Sequence, residues 1–452
     1  MDDTNFDVVV LGTGLTECVL SGLLSINGYK VLHLDRNKFY GGEGASLNLG
    51  QIFEEFKKPK PDEARFGKNM YYNVDLVPKA LMADGAMVKI MRTTIVERYQ
   101  MEFLLLDGSF VLKDQKVHKV PANDREALAS GLMGFFEKRR AAKFFSMCQT
   151  YDPSKPTTKT AADVYKEFGL EANTIEFIGH AVALYSNDDY LKENAHDLIM
   201  RCRLYDDSIN AYSGHTPYVY PVYGLGELPS TFSRLCAVYN GTYILGADIQ
   251  GISKTEAGVF QDITFTFPEG DGRSAPQTIQ AKAIIGDPSY FPDRVRLANK
   301  IVRCVCICSS PVQVLPKGYE TAASCQIIIP QSEFKRKNDI YVLQLSGVHK
   351  VCPADKFLVL VSTVLEGPDA EKELAPVLAY LKCTIMEKFV RVSDYKLPLD
   401  DGKASKMFVT NSMDSATHFE ASARNVLEVF ERVHGTPYNF DAALTAMPAQ
   451  QQ

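Results

Sequence analysis

The sequence predicts an α/β fold: a doubly wound domain with mixed sheets, interrupted by a smaller all-helical inserted domain. Three observations carry this. An apolar strand, a glycine turn, a helix and a second strand open the chain; helical periodicity takes over from about residue 121; strand-like runs return after residue 240. At 452 residues the chain is long enough for two or three structural units with a large buried core. Its 46% hydrophobic and 23% charged residues exclude long disorder.

The first strand, FDVVVLG (6–12), and the second, YKVLHLD (29–35), are almost continuously apolar, as parallel strands covered on both faces must be. Between them GTGLTECVLSGLLSING (12–28) reads as a helix that Asn27-Gly28 stops with a turn permitting positive φ. Farther on, Asn123 with Glu126 makes a candidate capping box before EALASGLMGFFEKRRAAKFFSMC, and Thr160 with Asp163 makes another before VYKEF. From Asn173 to Tyr185 apolar residues cover nearly every side of a helix, which must therefore be enclosed. The later strand-like runs are TYILGADIQGI, FQDITFTF, QAKAIIGD, VRCVCIC, SCQIIIP, IYVLQLSG and KFLVLVSTVL, with helical patterns at 369–391 and 418–434. This ordering places domain I at residues 1–120 and 221–452, and helical domain II at 121–220.

Charge narrows the function. Forty-nine Lys and Arg against 55 Asp and Glu leave −6, which disfavours a broad basic surface of the kind that neutralises nucleic-acid phosphates or an anionic membrane, so nucleic acid is not an expected partner. Apolar runs fall well short of the roughly 20 residues of a membrane span, and the acidic start MDDTNF stands where a secretory signal needs a basic one. A cytoplasmic protein is expected. The ten cysteines contain no CxxC pair, and Cys304, Cys306 and Cys308 alternate along one strand face at about 7 Å, too far apart for a thiolate cluster. They read as buried thiols, and no metal is expected.

Gly12, Gly14 and Asp35 supply most of the dinucleotide fingerprint, in which two glycines shape the turn and admit a pyrophosphate and an acid follows. The third glycine is replaced by Glu17, whose bulk opposes close helix–strand packing and whose charge opposes a phosphate at the helix N-terminus. Two readings stay open: a lost flavin site, or a degenerate one that binds cofactor with Glu17 swung aside. Gly41-Gly42, YGLGELPSTFSRL before GTYIL, and Gly286 closing AKAIIGD resemble amine oxidases and carotenoid desaturases, so the fold is flavoprotein-like in either case. No acid, base or nucleophile has an evident partner. His33 and His180 lie in apolar patterns and read as satisfied core histidines.

An ordered set of segments then becomes specific: VVVLGTGLTECVLSGLLSINGYKVLHLDRNKFYGG (8–42), NVDLVPK (73–79), GLMGFFEKRR (131–140), GHAVALY (179–185), YPVYGLGELP (220–229), GDPSYFPDRV (286–295), CQIIIPQ (325–331) and ATHFE (416–420). Essentially end to end, the chain resembles the Rab GDP-dissociation inhibitor family, which also contains the Rab escort proteins. The resemblance implies a regulatory binding protein without catalytic residues and without FAD or another cofactor. Such a protein binds GDP-bound geranylgeranylated Rab GTPases, slows GDP release, and extracts them from membranes for vesicle-traffic recycling. It implies a monomer with transient membrane contact. It also implies a Rab-binding platform of Tyr40, Glu227, Arg234 and Thr242, with Ile244 where the family commonly has methionine.

On the residues themselves, Pro229 suits a first helical turn, and Phe232, Leu235 and Tyr239 make a candidate buried stripe that leaves Arg234 on another face. The family takes prenyl groups between domain II helices, for which Phe136, Phe144, Met147, Phe177, Ile178 and Ala181 are candidates; the same spacing also fits an ordinary packed core. The rivals are a flavin-dependent, amine-oxidase-like enzyme and a Rab escort protein. Escort proteins are usually longer, with extra insertions.

Overall fold

Apolar strands need cover on both faces, and β1 (Asn5–Leu11) and β2 (Val31–Asp35) have it, joined by α1 (Leu15–Ile26). The computed structural model describes residues 5–94, 101–212, 214–268, 270, 272 and 275–445; the acidic residues 1–4, on which the absence of a secretory signal was read, lie outside them. Gly28, at φ +84°, turns the chain out of α1. A hairpin of β3 (Gly108–Lys113) and β4 (Lys116–Lys119) precedes the helices α2 (Phe135–Thr150), α3 (Ala161–Glu167) and α4 (Ala195–Asn210). The strand Tyr218–Pro221 then returns to pair with Leu81–Met82 and Phe103–Leu105.

The remaining elements are α5 (Glu227–Val238), β5 (Thr242–Leu245), β6 (Asp248–Lys254), β7 (Phe260–Thr266), β8 (Gln277–Gly286), β9 (Val295–Cys308), β10 (Cys325–Ile329), β11 (Ile340–Ser346), β12 (Phe357–Val364), α6 (Ala370–Leu381), β13 (Ile385–Pro398), β14 (Met407–Val409) and α7 (Glu420–His434). One seven-stranded sheet runs β5-β2-β1-β8-β7-β6, with β14 also beside β8. Its centre is parallel and its β8-β7-β6 flank antiparallel. The second, β13-β9-β12-β11-β10-β3-β4, is antiparallel except where β10 meets β3. The expected α/β class with mixed sheets is therefore what the chain adopts.

Four local expectations are corrected. The long helix read from Glu126 breaks at Ser130–Gly134 into Asp124–Ala129 and α2, because Gly131 and Gly134 favour the unfolded backbone and Gly134 becomes the N-cap of α2. The helical pattern at 369–391 ends at Leu381, where Lys382 turns left-handed, and β-branched residues from Ile385 onward pair with β9 instead. The apolar stretch after Asn173 is Ala172–Glu176 followed by a π-helical turn, Phe177–Val182. Along β9 the Cys304 and Cys306 sulfurs lean together to 3.5 Å rather than standing at the strand repeat, although no metal-holding cluster occurs among the described residues.

His180 on the π turn ties the helices to the second sheet. It is fully buried, with Nδ1 2.7 Å from Asp339 and Nε2 3.2 Å from Asp188. Burial alone would strip its proton, but hydrogen bonds and charge from the two carboxylates prevail and hold its pKa up at about 10. Its stabilisation is complete below the ordinary value of 6.5 and is lost as pH rises through about 10. Removing the imidazolium leaves Asp339 buried beside no cation, so His180→Gln is expected to cost about 3–5 kcal/mol near neutrality. Denaturant melts should show the gap to wild type closing between pH 6.5 and 10; a gap constant over that window contradicts the clamp.

Candidate functional site

Two features meet around α1: the cleft behind the glycine loop and an exposed face beside α5. The cleft encloses about 750 Å³ and is lined by Gly12, Gly14, Glu17, Asp35, Asp287 and Arg391 among others. Gly12 makes the expected sharp turn at φ +92°. Glu17, however, folds back over Gly14, so that a methyl group added there would collide with its carboxylate oxygen. The second glycine's purpose is to leave that space to a pyrophosphate, and here the protein's own carboxyl fills it. Thr410 holds Glu17 in place, its hydroxyl donating to Oε1 at 2.6 Å.

Asp35, the acid that would take a ribose hydroxyl, is already engaged. The Thr13 backbone N–H and hydroxyl donate to one carboxylate oxygen at 2.6 and 2.5 Å, and the Asn37 N–H donates to the other at 2.7 Å. These residues do not fit a flavin dinucleotide. The negative charge expected of Glu17 is corrected, though. Burial first, and the neighbouring Asp287 second, push the Glu17 pKa up to about 8, so near neutrality the carboxyl keeps its proton. Glu17 opposes the cofactor by occupying its place more than by repelling it.

The same loop is wired to the exposed face. His33 donates from Nε2 to the Gly12 carbonyl at 2.6 Å and stacks on Tyr243 at 4.3 Å between ring centres. Burial lowers its pKa to about 4, so it stays neutral; it is a core histidine as expected, but only half satisfied, since its Nδ1 is buried with no partner among the described residues. Tyr243 shares a hydrogen bond with Ser21 of α1 and lies 6.3 Å from the Tyr40 ring. Tyr40 in turn reaches the Ser233 hydroxyl of α5 at 3.0 Å. Helix α5 rests on α1 across Gly22, where a Cβ would meet Phe232 at 2.9 Å.

On the outward side of α5, Glu227 and Arg234 are exposed and enter none of the described side-chain hydrogen bonds or ion pairs. Seven residues apart, they lie on one stripe about 10 Å long. Phe232 and Leu235 are buried as expected, but Tyr239 is 46% exposed: it caps the helix, where the 3.6-residue period no longer applies. Thr242 and Ile244 sit half-buried on β5, the sheet's edge strand. They alternate with Tyr243, and Ile244 packs into the hydrophobic cluster on the sheet's opposite face. The structure thus places Glu227 and Arg234 on one stripe of α5 and Tyr40 against Ser233 of the same helix, while Thr242 and Ile244 lie on the edge strand β5. Sequence reasoning missed Ser21, Ser233 and Tyr243; only their alternation with apolar neighbours hinted that they face inward.

The prenyl candidates separate by burial. Phe144, Ile178 and Ala181 are fully enclosed and Phe177 nearly so, with Phe144 5.4 Å from Tyr165 and 5.7 Å from Phe168 between ring centres. Met147 is half-buried, and Phe136 is 72% exposed. Among the described residues no helix is long and apolar enough to cross a membrane.

A family model described as GDP dissociation inhibitor matches residues 1–445. Rab GDP dissociation inhibitor beta of Rattus norvegicus is 44% identical over 445 residues, which cover 96% of each chain. The crystal structure of RAB GDI from Plasmodium falciparum aligns with a TM-score of 0.86 at 39% identity, over 96% of this chain and 99% of that one. An oxidoreductase from Methanosarcina mazei aligns at 0.57 with 13% identity, over 94% of this chain and 100% of that one, which is likeness of fold alone.

Because Glu17 binds its proton more tightly folded than unfolded, its contribution is present below pH 4.5 and lost as pH rises through about 8. Glu17→Gln keeps an acceptor for Thr410 and cannot ionise. Thermal melts should therefore show the variant gaining on wild type as pH climbs from 4.5 to 8; parallel curves contradict the buried, protonated carboxyl.

Proposed function

Since the chain belongs to the GDP dissociation inhibitor family, we propose that it captures GDP-bound, geranylgeranylated Rab GTPases, slows their GDP release, and carries them in soluble form between membranes. In this reading it acts in the cytoplasm as a monomer, touching membranes only in passing. It comprises domain I (1–120 and 221–452), which meets the GTPase, and domain II (121–220), which takes the lipid. The observation that carries the reading is the exposed Glu227–Arg234 stripe beside Tyr40. An acid and a base on one exposed stripe near an aromatic residue have the composition of an interface anchor, and among the described residues neither charge is in an ion pair. Near-complete mutual coverage with an inhibitor favours this function over an escort protein.

Physical chemistry explains how such a protein works without bond-making steps. Burying a lipid chain yields about 0.8 kcal/mol per methylene in bilayer or protein alike, so prenyl transfer between them is nearly neutral. Contact between the domain I platform and the GTPase switch regions tips the exchange, and it discriminates because GTP orders those switches and hydrolysis releases them. Linkage then requires that a partner preferring the GDP state tighten GDP binding in return. In domain II, Phe144, Phe177, Ile178 and Ala181 form a closed core. A tail reaching them must enter as those helices part, with the half-buried Met147 met first.

The test is GDP release and liposome extraction for one prenylated Rab. Wild type should slow the first and perform the second. Arg234→Glu should weaken capture at least about 30-fold, the size of a lost anchor, with an unchanged melt; normal extraction by this variant contradicts the platform. Met147→Lys should weaken binding of prenylated Rab while sparing the unprenylated form, and equal loss for both removes Met147 from the lipid path.

A further inference from the structure

The N-terminal end of α2 carries an apolar surface that neither the platform nor the helical core uses. Phe135 and Phe136 are 69% and 72% exposed, and Leu128 on the preceding short helix is 69% exposed. The two rings contact each other at 5.6 Å, and the Lys138 ammonium donates to the Leu128 carbonyl at 2.6 Å, which fastens the short helix beside the first turn of α2. Among the described residues near these side chains, Arg125, Arg139 and Lys143 are exposed cations, and the exposed acid Glu171 is paired with Arg140. Arg139 lies three and four residues from the phenylalanines, and Lys143 one turn beyond, so all share the outward side of α2. The neighbouring acids are engaged elsewhere. Glu126 accepts from the Ala122 N–H at 2.9 Å, and Glu137 is buried against Arg140. A local cationic island on a chain of net charge −6 has a restricted set of complements.

We infer that this end of α2 is a docking wedge for a bilayer bearing anionic headgroups: Phe135, Phe136 and Leu128 enter the interface while Arg125, Arg139 and Lys143 sit at headgroup level. Aromatic and aliphatic side chains flanked by Lys and Arg are the combination that lies in a membrane interface, where apolar burial and headgroup attraction add. The position also fits. Met147 follows Phe136 on the same helix by 11 residues, about 16 Å, so a wedge seated in the bilayer brings the proposed lipid path to the surface from which a prenyl chain departs. The inference rests on the reading that this chain removes lipidated GTPases from membranes.

Flotation of the full chain, without any GTPase, on phosphatidylcholine vesicles with and without phosphatidylserine tests it. Wild type should float more with the anionic vesicles, and raised salt should erase the difference as screening shortens the electrostatic reach. Leu128→Ser with Phe135→Ser should lower flotation about tenfold on anionic vesicles; Arg139→Glu should lower only the part that phosphatidylserine adds. These side chains are exposed, and unchanged melts would confirm folding. Both variants should still slow GDP release from an unprenylated Rab. Equal flotation on the two vesicle types, wild-type flotation by the double variant, or loss of Rab capture in its place overturns the wedge. Failure of wild type itself to slow GDP release would instead count against the proposed function while leaving the vesicle result to stand alone.

Discussion

The arrangement depends on one short-range substitution: a carboxyl from the first turn of α1 lies over Gly14, where this fold ordinarily leaves room for a phosphate group. With Thr410 beneath it and Asp35 bound to Thr13 and Asn37, the glycine loop is satisfied from within. The loop in turn fixes α1, and α1 supports α5 across Gly22. His33 and Tyr243 bridge from the Gly12 carbonyl to Tyr40. A chain of hydrogen bonds and ring contacts therefore runs from the glycine loop through Tyr243 and Tyr40 to Ser233 of α5.

The helical insertion is secured differently. Its apolar residues pack into a continuous core, but orientation against the second sheet comes from a buried imidazolium between two carboxylates. An apolar interface tolerates sliding, whereas an ion pair with fixed hydrogen bonds does not. The helices are thus held in register against that sheet. The π-helical turn beside His180 falls at that junction, where helix irregularities tend to accompany function.

Much of this was legible from local sequence. The opening βαβ unit and the Gly12, Gly14, Glu17 and Asp35 series are short-range patterns, and each falls where its spacing predicts. What local spacing hid has physical causes. His180 is defined by Asp339, 159 residues away, so no window reveals it. Tyr239 continues the apolar stripe in sequence but stands past the last helical turn. Gly131 and Gly134 break a helix whose flanking residues are strong helix formers. The charge of Glu17 was misread because burial, which sequence does not report, raises its pKa by favouring the neutral form.

Calorimetric titration of FAD into the purified chain tests the self-filled cradle most directly. The account predicts no saturable heat, because the pyrophosphate's place is taken and Thr13 and Asn37 already occupy most of the acceptor sites of Asp35. Stoichiometric binding, or a preparation that emerges from purification yellow with bound flavin, would contradict it.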